Sequence, residues 1–392
     1  MKTLLIAIIC FFTIFANAQH EFNCYTQVNS HQIEKSKTLE DQLEEYISSI
    51  QIDPSSLLIE IPVVVHVVYN IDEAELQDIP DAQILEQIAI LNRDFRALND
   101  DKDSVPDIFS NLVTDMQIEF CLKEITRTST TEYSFSYWSD GIKSDYTGGK
   151  SPWNTDRYLN IWICNLSGGM LGYAQFPELG ADSTDGVVVD YMVVGEDTTT
   201  WNLMDQYAGR VLHHEVGHWL NLRHIWGDAY SCEATDFVDD TPPQKFLYRK
   251  CIEDTTTCGS RDLVMNYMDY VPTWCMRCFT QGQKLRAWAS MALFRNEIFH
   301  NSCDDLIAIS KIEELEIKIY SNSVSRHLDI EIPEPRNSVI VIIDNFGRTI
   351  YTERVSDSKV RVYLHNISNG VYHVVLKSPT GKILRKRSIS FL

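Results

Sequence analysis

The chain has 392 residues, long for one domain, and its 44% hydrophobic and 11% aromatic content is ample for a packed core, which excludes a disordered chain. A formal net charge of -21 argues against nucleic acid or an acidic membrane surface as partner, because both call for a basic face.

Lys2, the apolar stretch Leu4 to Phe15 and the small-x-small site Ala16-Asn17-Ala18 read as a signal peptide over 1–18, with Gln19 the first mature residue. No later apolar run reaches the roughly 18 residues a membrane span requires, so no transmembrane segment is expected. An exported chain meets an oxidising compartment, which makes its cysteines informative. Of 10 cysteines Cys10 leaves with the signal, and six of the remaining nine crowd into 232–303 as a local disulfide framework. The odd total leaves at least one cysteine for another task.

Residues 19–57 are polar and acidic. Leu39, Leu43, Tyr46, Ile47 and Ile50 recur at helical spacing and predict one amphipathic helix over 35–51, ended near Asp53-Pro54. IEIPVVVHVVY (59–69) is dense in β-branched residues and reads as a buried strand. DAQILEQIAILNRDF (81–95) reads as an amphipathic helix on a sheet, with Asp81 as its cap. Further strands are expected at 116–122, 158–164, 172–177 and 185–191, and strands mixed with long helices give an α/β layer. A helical pattern from Tyr207 runs into a histidine-rich stretch, and 225–303 is then irregular and Cys-rich. From about Lys311 short alternating runs (LEIKIY, HLDIEI, SVIVIID, RTIYTERV, KVRVYL, GVYHVVLK) with turn signals between them predict a small all-β sandwich.

HHEVGHWLNLRH, from His213 to His224, holds four of the chain's 11 histidines. On a helix His214 and His218 lie on one face about one turn (~6 Å) apart, so their imidazoles can share one zinc. Glu215 beside them can take a proton from a zinc-activated water. Two surface histidines on a helix are the plainer alternative. His224 reaches the same metal only if the helix stops and the chain turns back. Such a stop favours a residue tolerant of the left-handed conformation; Asn221 is the choice next after glycine.

HEVGHWLNLRH resembles the metzincin zinc signature HExxHxxGxxH, with Asn221 in place of glycine. NYMDY (266–270) resembles the methionine turn of the same proteins. PVVVHVVY, YLNIWICNL, GYAQFP, DDTP (239–242) and NYMDY together resemble the pappalysin-like secreted metallopeptidases over about 58–300. The resemblance implies a metzincin catalytic domain over 58–305, with a twisted mixed sheet, an active-site helix and an irregular Cys-rich lower subdomain, preceded by a propeptide over 19–57. It implies a zinc-dependent endopeptidase acting on protein or peptide substrates. His214, His218 and His224 would be the zinc ligands, Glu215 the general base and acid, Tyr270 an oxyanion stabiliser, and Met268 a packing floor. GYAQFP is the candidate edge strand for substrate. His213 and His66 match no functional position and read as ordinary core histidines.

The resemblance also implies calcium in the acidic loop, with Asp236, Asp240 and the Thr241 carbonyl at plausible positions; a solvated acidic loop is the alternative. It implies disulfides Cys232–Cys258 and Cys251–Cys275. Cys24, the odd cysteine, would be a cysteine switch, its thiolate filling the fourth zinc position, or else a disulfide partner of Cys121 or Cys164. Without Cys24 the other eight cysteines are compatible with full pairing. Residues 311–392 resemble the type IX secretion sorting domain, through IKIYSNSV, IIDNFGRTIY, NGVYHVVL and GKILRKRSISFL, although both prolines of the usual Tyr-Pro-Asn-Pro are missing at 320–323. That implies delivery outside the cell or to its surface by the type IX machinery. A sandwich that binds substrate or carbohydrate is the alternative. No acid follows Tyr270 in Val271-Pro272-Thr273-Trp274, so a weaker preference for a basic residue after the cut is expected than in pappalysin-like enzymes that carry one.

Overall fold

β1 (Ile59–Asn70) is buried at ten of its twelve positions, as its β-branched run requires of a strand covered on both faces. It pairs in parallel with β2 (Ile118–Thr130) on one side and with β3 (Leu159–Cys164) on the other. β3 pairs in parallel with β5 (Val187–Asp190), and the short β4 (Gly172–Ala174) closes the order β2-β1-β3-β5-β4 as an antiparallel edge. These elements are described from a computed structural model that covers residues 24, 26, 32–49, 58–196, 209–300 and 303, and segments between 318 and 391. The expected signal peptide, the end of the first helix near Asp53-Pro54 and the start of the histidine helix near Tyr207 lie outside the described residues. The chain divides into two units, Met1–Leu306 and Ile307–Leu392.

In the first unit α1 (Ile33–Ser49) forms where the spacing predicts it and buries Leu43 completely. A four-residue helix, α2 (Ala74–Gln77), follows β1. α3 (Asp81–Phe95) packs on the sheet through Ile84, Ile88, Leu91 and Phe95. Its cap differs from expectation. Pro80 occupies the cap position, and Asp81, inside the first turn, accepts instead from Arg127 at 2.6 Å. Proline at the boundary fixes φ and leaves no side chain to cap, so the acid moves into the turn where the helix dipole favours it. β2 also starts two residues later than its apolar run, because Gln117 takes a left-handed φ of 52°.

α4 (Val211–Trp219) carries the histidines and is buried along its whole length. It stops in a Schellman turn. Asn221 has φ 72°, its N–H reaches the His218 carbonyl at 2.8 Å, and the Leu222 N–H reaches the Gly217 carbonyl at 2.8 Å. Beneath it runs the methionine turn. A Cβ built on Gly217 would lie 2.4 Å from the Met268 sulfur, so glycine is what lets the turn approach. Gly217→Ala is therefore expected to destabilise by ~1–3 kcal/mol through overpacking. Chemical denaturation measures it, and an unchanged midpoint refutes the contact.

The Cys-rich stretch is not wholly irregular: α5 (Gln281–Phe294) and α6 (Asn296–His300) end it. α5 begins in a capping box of Thr280 and Gln283, a signal present in the sequence as Thr-x-x-Gln. Disulfides Cys232–Cys258 and Cys251–Cys275 form, and a third joins Cys121 in β2 to Cys303. Full pairing of the remaining cysteines does not occur. Cys164 and Cys278 are buried free thiols, as is Cys24, which rules out its bond to Cys121 or Cys164. Both extra thiols sit among apolar neighbours, where cysteine serves as a small hydrophobe.

The second unit contains a three-stranded sheet, β10-β7-β6 (Lys359–Tyr363, His327–Glu331, Lys318–Asn322), and a four-stranded sheet, β12-β11-β8-β9 (Ile383–Phe391, Gly370–Lys377, Ser338–Asp344, Thr349–Val355), antiparallel throughout. Ile319, Leu328, Ile330 and Val362 of the first share one buried cluster with Ile340, Ile342, Tyr372 and Val374 of the second.

Candidate metal centre and active site

His214, His218 and His224 meet with their ring nitrogens facing inward. The Nε2 atom of His218 lies 3.1 Å from that of His214 and 3.1 Å from that of His224. Each Nδ1 is turned outward to an acceptor: His214 to the Tyr267 carbonyl at 2.8 Å, His218 to the Leu222 carbonyl at 2.8 Å, and His224 to the Asp228 carboxylate at 2.5 Å. With each Nδ1 donating, each neutral ring presents an Nε2 lone pair to the others. Three lone pairs so close repel unless they share a cation, and this is how a metal-binding imidazole is set up. Burial first, then the neighbouring imidazoles, holds His214 and His218 well below the ordinary histidine pKa. The Schellman turn at Asn221 is what swings His224 back to the other two.

Glu215 is fully buried beside them. Burial pushes its pKa up to about 8, opposed by hydrogen bonds from Cys24 and Thr26. Its Oε2 accepts from the Cys24 thiol at 3.3 Å and from Thr26 Oγ1 at 3.3 Å, while Oε1 has no hydrogen-bond partner. Gly172 of the edge strand makes room for it, since a Cβ there would lie 2.8 Å from Glu215 Cγ. Tyr270 donates from its hydroxyl to the Cys24 carbonyl at 2.7 Å, and its ring lies 4.9 Å from that of His224. Burial, followed by Cys24 and Glu215, raises its pKa. Met268 is fully buried under α4.

Cys24 completes the cluster: its sulfur and one nitrogen of each of the three histidines all lie within 4.8 Å of one another. It forms a parallel bridge to Gly172, and Thr26 Oγ1 accepts from the Ala174 N–H at 2.8 Å, so Cys24 and Thr26 lie on the β4 edge.

The acidic loop divides its duties. Asp236 is buried, accepts from Thr241 Oγ1 at 2.9 and 2.8 Å, and is raised by burial to about 7. Asp240 accepts from Thr280 Oγ1 at 2.6 Å and the Gly282 N–H at 2.8 Å, and so serves the start of α5; the two carboxylates take different partners. Asp228, which in sequence belongs to the same acidic run, is instead the partner of His224. Its i, i+4 spacing from His224 was the available signal. His213 bonds the Ile90 carbonyl at 3.3 Å with Asp94 at 3.4 Å, and His66 lies between Thr126 and Asn160, so neither faces the cluster.

A mixed sheet with an antiparallel edge, with a helix that presents two imidazoles and a buried glutamate and a turn that returns a third imidazole to them, defines a metalloprotease. The chain belongs to the pappalysin family of metallopeptidases. A family model described as pregnancy-associated plasma protein-A (peptidase M43) matches residues 143–292, and one described as a secretion system C-terminal sorting domain matches 307–390. An extracellular metalloprotease of Arthroderma otae is 33% identical over 228 residues, 56% of this chain and 73% of that one. Among solved structures, a promirolysin mutant of Tannerella forsythia is 41% identical with a TM-score of 0.62, covering 71% of this chain and 97% of that one. Mature mirolysin of Tannerella forsythia in complex with a cleaved peptide is 43% identical with a TM-score of 0.57, covering 63% and 100%. The protein is secreted or displayed at the surface. No helix among the described residues is long and apolar enough to cross a membrane.

Proposed function

We propose that the chain is a zinc endopeptidase that hydrolyses extracellular proteins, with His214, His218 and His224 holding the zinc. The observation that carries this is the set of three Nε2 lone pairs aimed at one point, each ring fixed from behind through Nδ1, beside a buried carboxylate. Zinc bound there supplies Lewis-acid polarisation of the scissile carbonyl and lowers the pKa of water. Glu215 takes the proton of the attacking water and passes it to the leaving amine. The Tyr270 hydroxyl donates to the developing oxyanion. The edge strand β4 offers main-chain hydrogen bonds to an extended substrate. The test is digestion of casein with and without a zinc chelator, with cut sites mapped by mass and zinc per chain measured. Full activity in a zinc-free preparation ends this reading.

Residues 19–57 are read as a propeptide and Cys24 as its switch. Supporting this, Cys24 lies with the histidines, and its carbonyl holds the Tyr270 hydroxyl. The pro-form of mirolysin matches 71% of this chain and the mature form 63%. Cys24→Ala is expected to raise the activity or self-processing of the precursor severalfold. A variant as latent as the parent sinks the switch.

Calcium in the acidic loop is read at Asp236, Asp240 and the Thr241 carbonyl; the burial of the Asp236 carboxylate supports it, and Asp240 also accepts from Thr280 and Gly282 at the start of α5. Calcium binding would be seen as a rise in thermal stability on titration. The second unit is read as a β-sandwich sorting domain for the type IX machinery, and 1–18 as the signal peptide. Val271, Pro272, Thr273 and Trp274 supply no acid, so a basic residue after the cut gains no charge partner from this segment.

A further inference from the structure

One carboxylate of α1 bridges two arginines of the catalytic unit. Glu40 Oε1 accepts from Arg223 Nη2 at 2.9 Å and from Arg286 Nη2 at 2.7 Å. Arg223 Nη2 also donates to Ser36 Oγ, again on α1, at 2.7 Å. Arg286 is 1% exposed and Glu40 5%. Burial alone raises the Glu40 pKa, and the two guanidinium groups outweigh it and bring it below the ordinary carboxylate value.

The arginine pair belongs to the catalytic unit, not to α1. Arg286 Nε donates to the Asn221 carbonyl, at the turn that returns His224, at 2.7 Å. Both guanidinium groups lie over the Phe237 ring, at 5.6 and 5.5 Å. Arg223 also lies 5.0 Å over Phe176, whose ring is 5.3 Å from His218. Phe176 continues the edge strand β4 by two residues. The pair therefore stands beside the three histidines, along the line an extended chain follows from the edge strand. Of the nearby carboxylates, Asp228 bonds His224 and Asp236 bonds Thr241; they act on Arg223 and Arg286 respectively through charge and not through a hydrogen bond. Without Glu40 the two guanidinium groups lose the carboxylate that bridges them, and an incoming carboxylate can take its place.

We infer that, once residues 19–57 are removed, Arg223 and Arg286 form a subsite for an acidic side chain of the polypeptide substrate, on the side of the scissile bond that lies over Phe176. The inference rests on the reading of 19–57 as a removable propeptide. Glu40 then stands in the precursor for the substrate's own glutamate or aspartate.

Processed enzyme lacking 19–57 is given a mixed peptide pool, and its cut sites are mapped by mass spectrometry. Asp and Glu should be enriched at one position, on one side of the cut. For a peptide pair differing only as Glu or Gln at that position, kcat/KM should favour Glu by roughly tenfold or more, the range of a charge-assisted bond. Arg223→Gln should bring that ratio towards one, and Arg223→Glu should reverse it in favour of a Lys peptide. No enriched acidic position in the wild type overturns the inference, as does a Glu/Gln ratio that Arg223→Gln leaves unchanged. The wild-type measurement stands even if a variant misfolds. Failure of the propeptide reading looks different: the intact mass of the active enzyme would still include α1.

Discussion

Glu215→Ala is expected to fold and bind zinc like the parent while its peptidase activity falls by ~10²-fold or more, the contribution of a positioned general base. All three imidazoles and their outward partners remain in this variant, so the proposed metal-holding set is untouched. The loss should fall on kcat, because in the proposed role the side chain moves a proton in the transition state and does not anchor the substrate. The change also empties space beside Gly172, and the edge strand keeps its backbone. Zinc content by elemental analysis and kcat on a mapped peptide give the two readings side by side. Near-normal turnover with zinc bound would falsify the role of Glu215.

Asp228→Ala is expected to lower zinc affinity by about 10–100-fold, the usual penalty for removing a carboxylate behind a metal-binding imidazole. The 2.5 Å bond from His224 Nδ1 fixes both the ring's tautomer and its direction. His214 and His218 lean on backbone carbonyls, which no side-chain change removes, so His224 is the imidazole open to this test. Asp228→Asn keeps an acceptor and should lose less. Competition against a chelator of known strength reads the affinity. Equal affinity in Asp228→Ala would show that the rest of the fold already holds the ring.

The histidine site was legible because its information is local. Spacing on one helix gives His214, Glu215 and His218, and the left-handed tolerance of Asn221 gives the return of His224. Met268 and Tyr270 came only through resemblance, since nothing in their own spacing points to a metal. Asp228 was lost in a run of acids, where five carboxylates look alike until their partners are seen. α5 was passed over because its apolar residues do not form one stripe: Lys284 and Arg286 are buried on it with Trp288. The free state of Cys164 and Cys278 was equally hidden, because an even count says what can pair and not what lies within reach. The strands of the second unit were plain from alternation, except β12, whose run of Arg385, Lys386 and Arg387 masks a strand that pairs along β11.

The bond between Cys121 and Cys303 joins residues 182 apart in sequence, and every member of the histidine cluster beyond Cys24 falls inside the ring it closes. A single cut anywhere between those cysteines opens the ring without releasing a fragment. For a protease working at high concentration among its own copies, such nicks are a routine hazard. A nicked molecule keeps its two halves and its tail as one covalent body until a reductant reaches the bond, so damage that would scatter an unbridged chain leaves this one in a single piece.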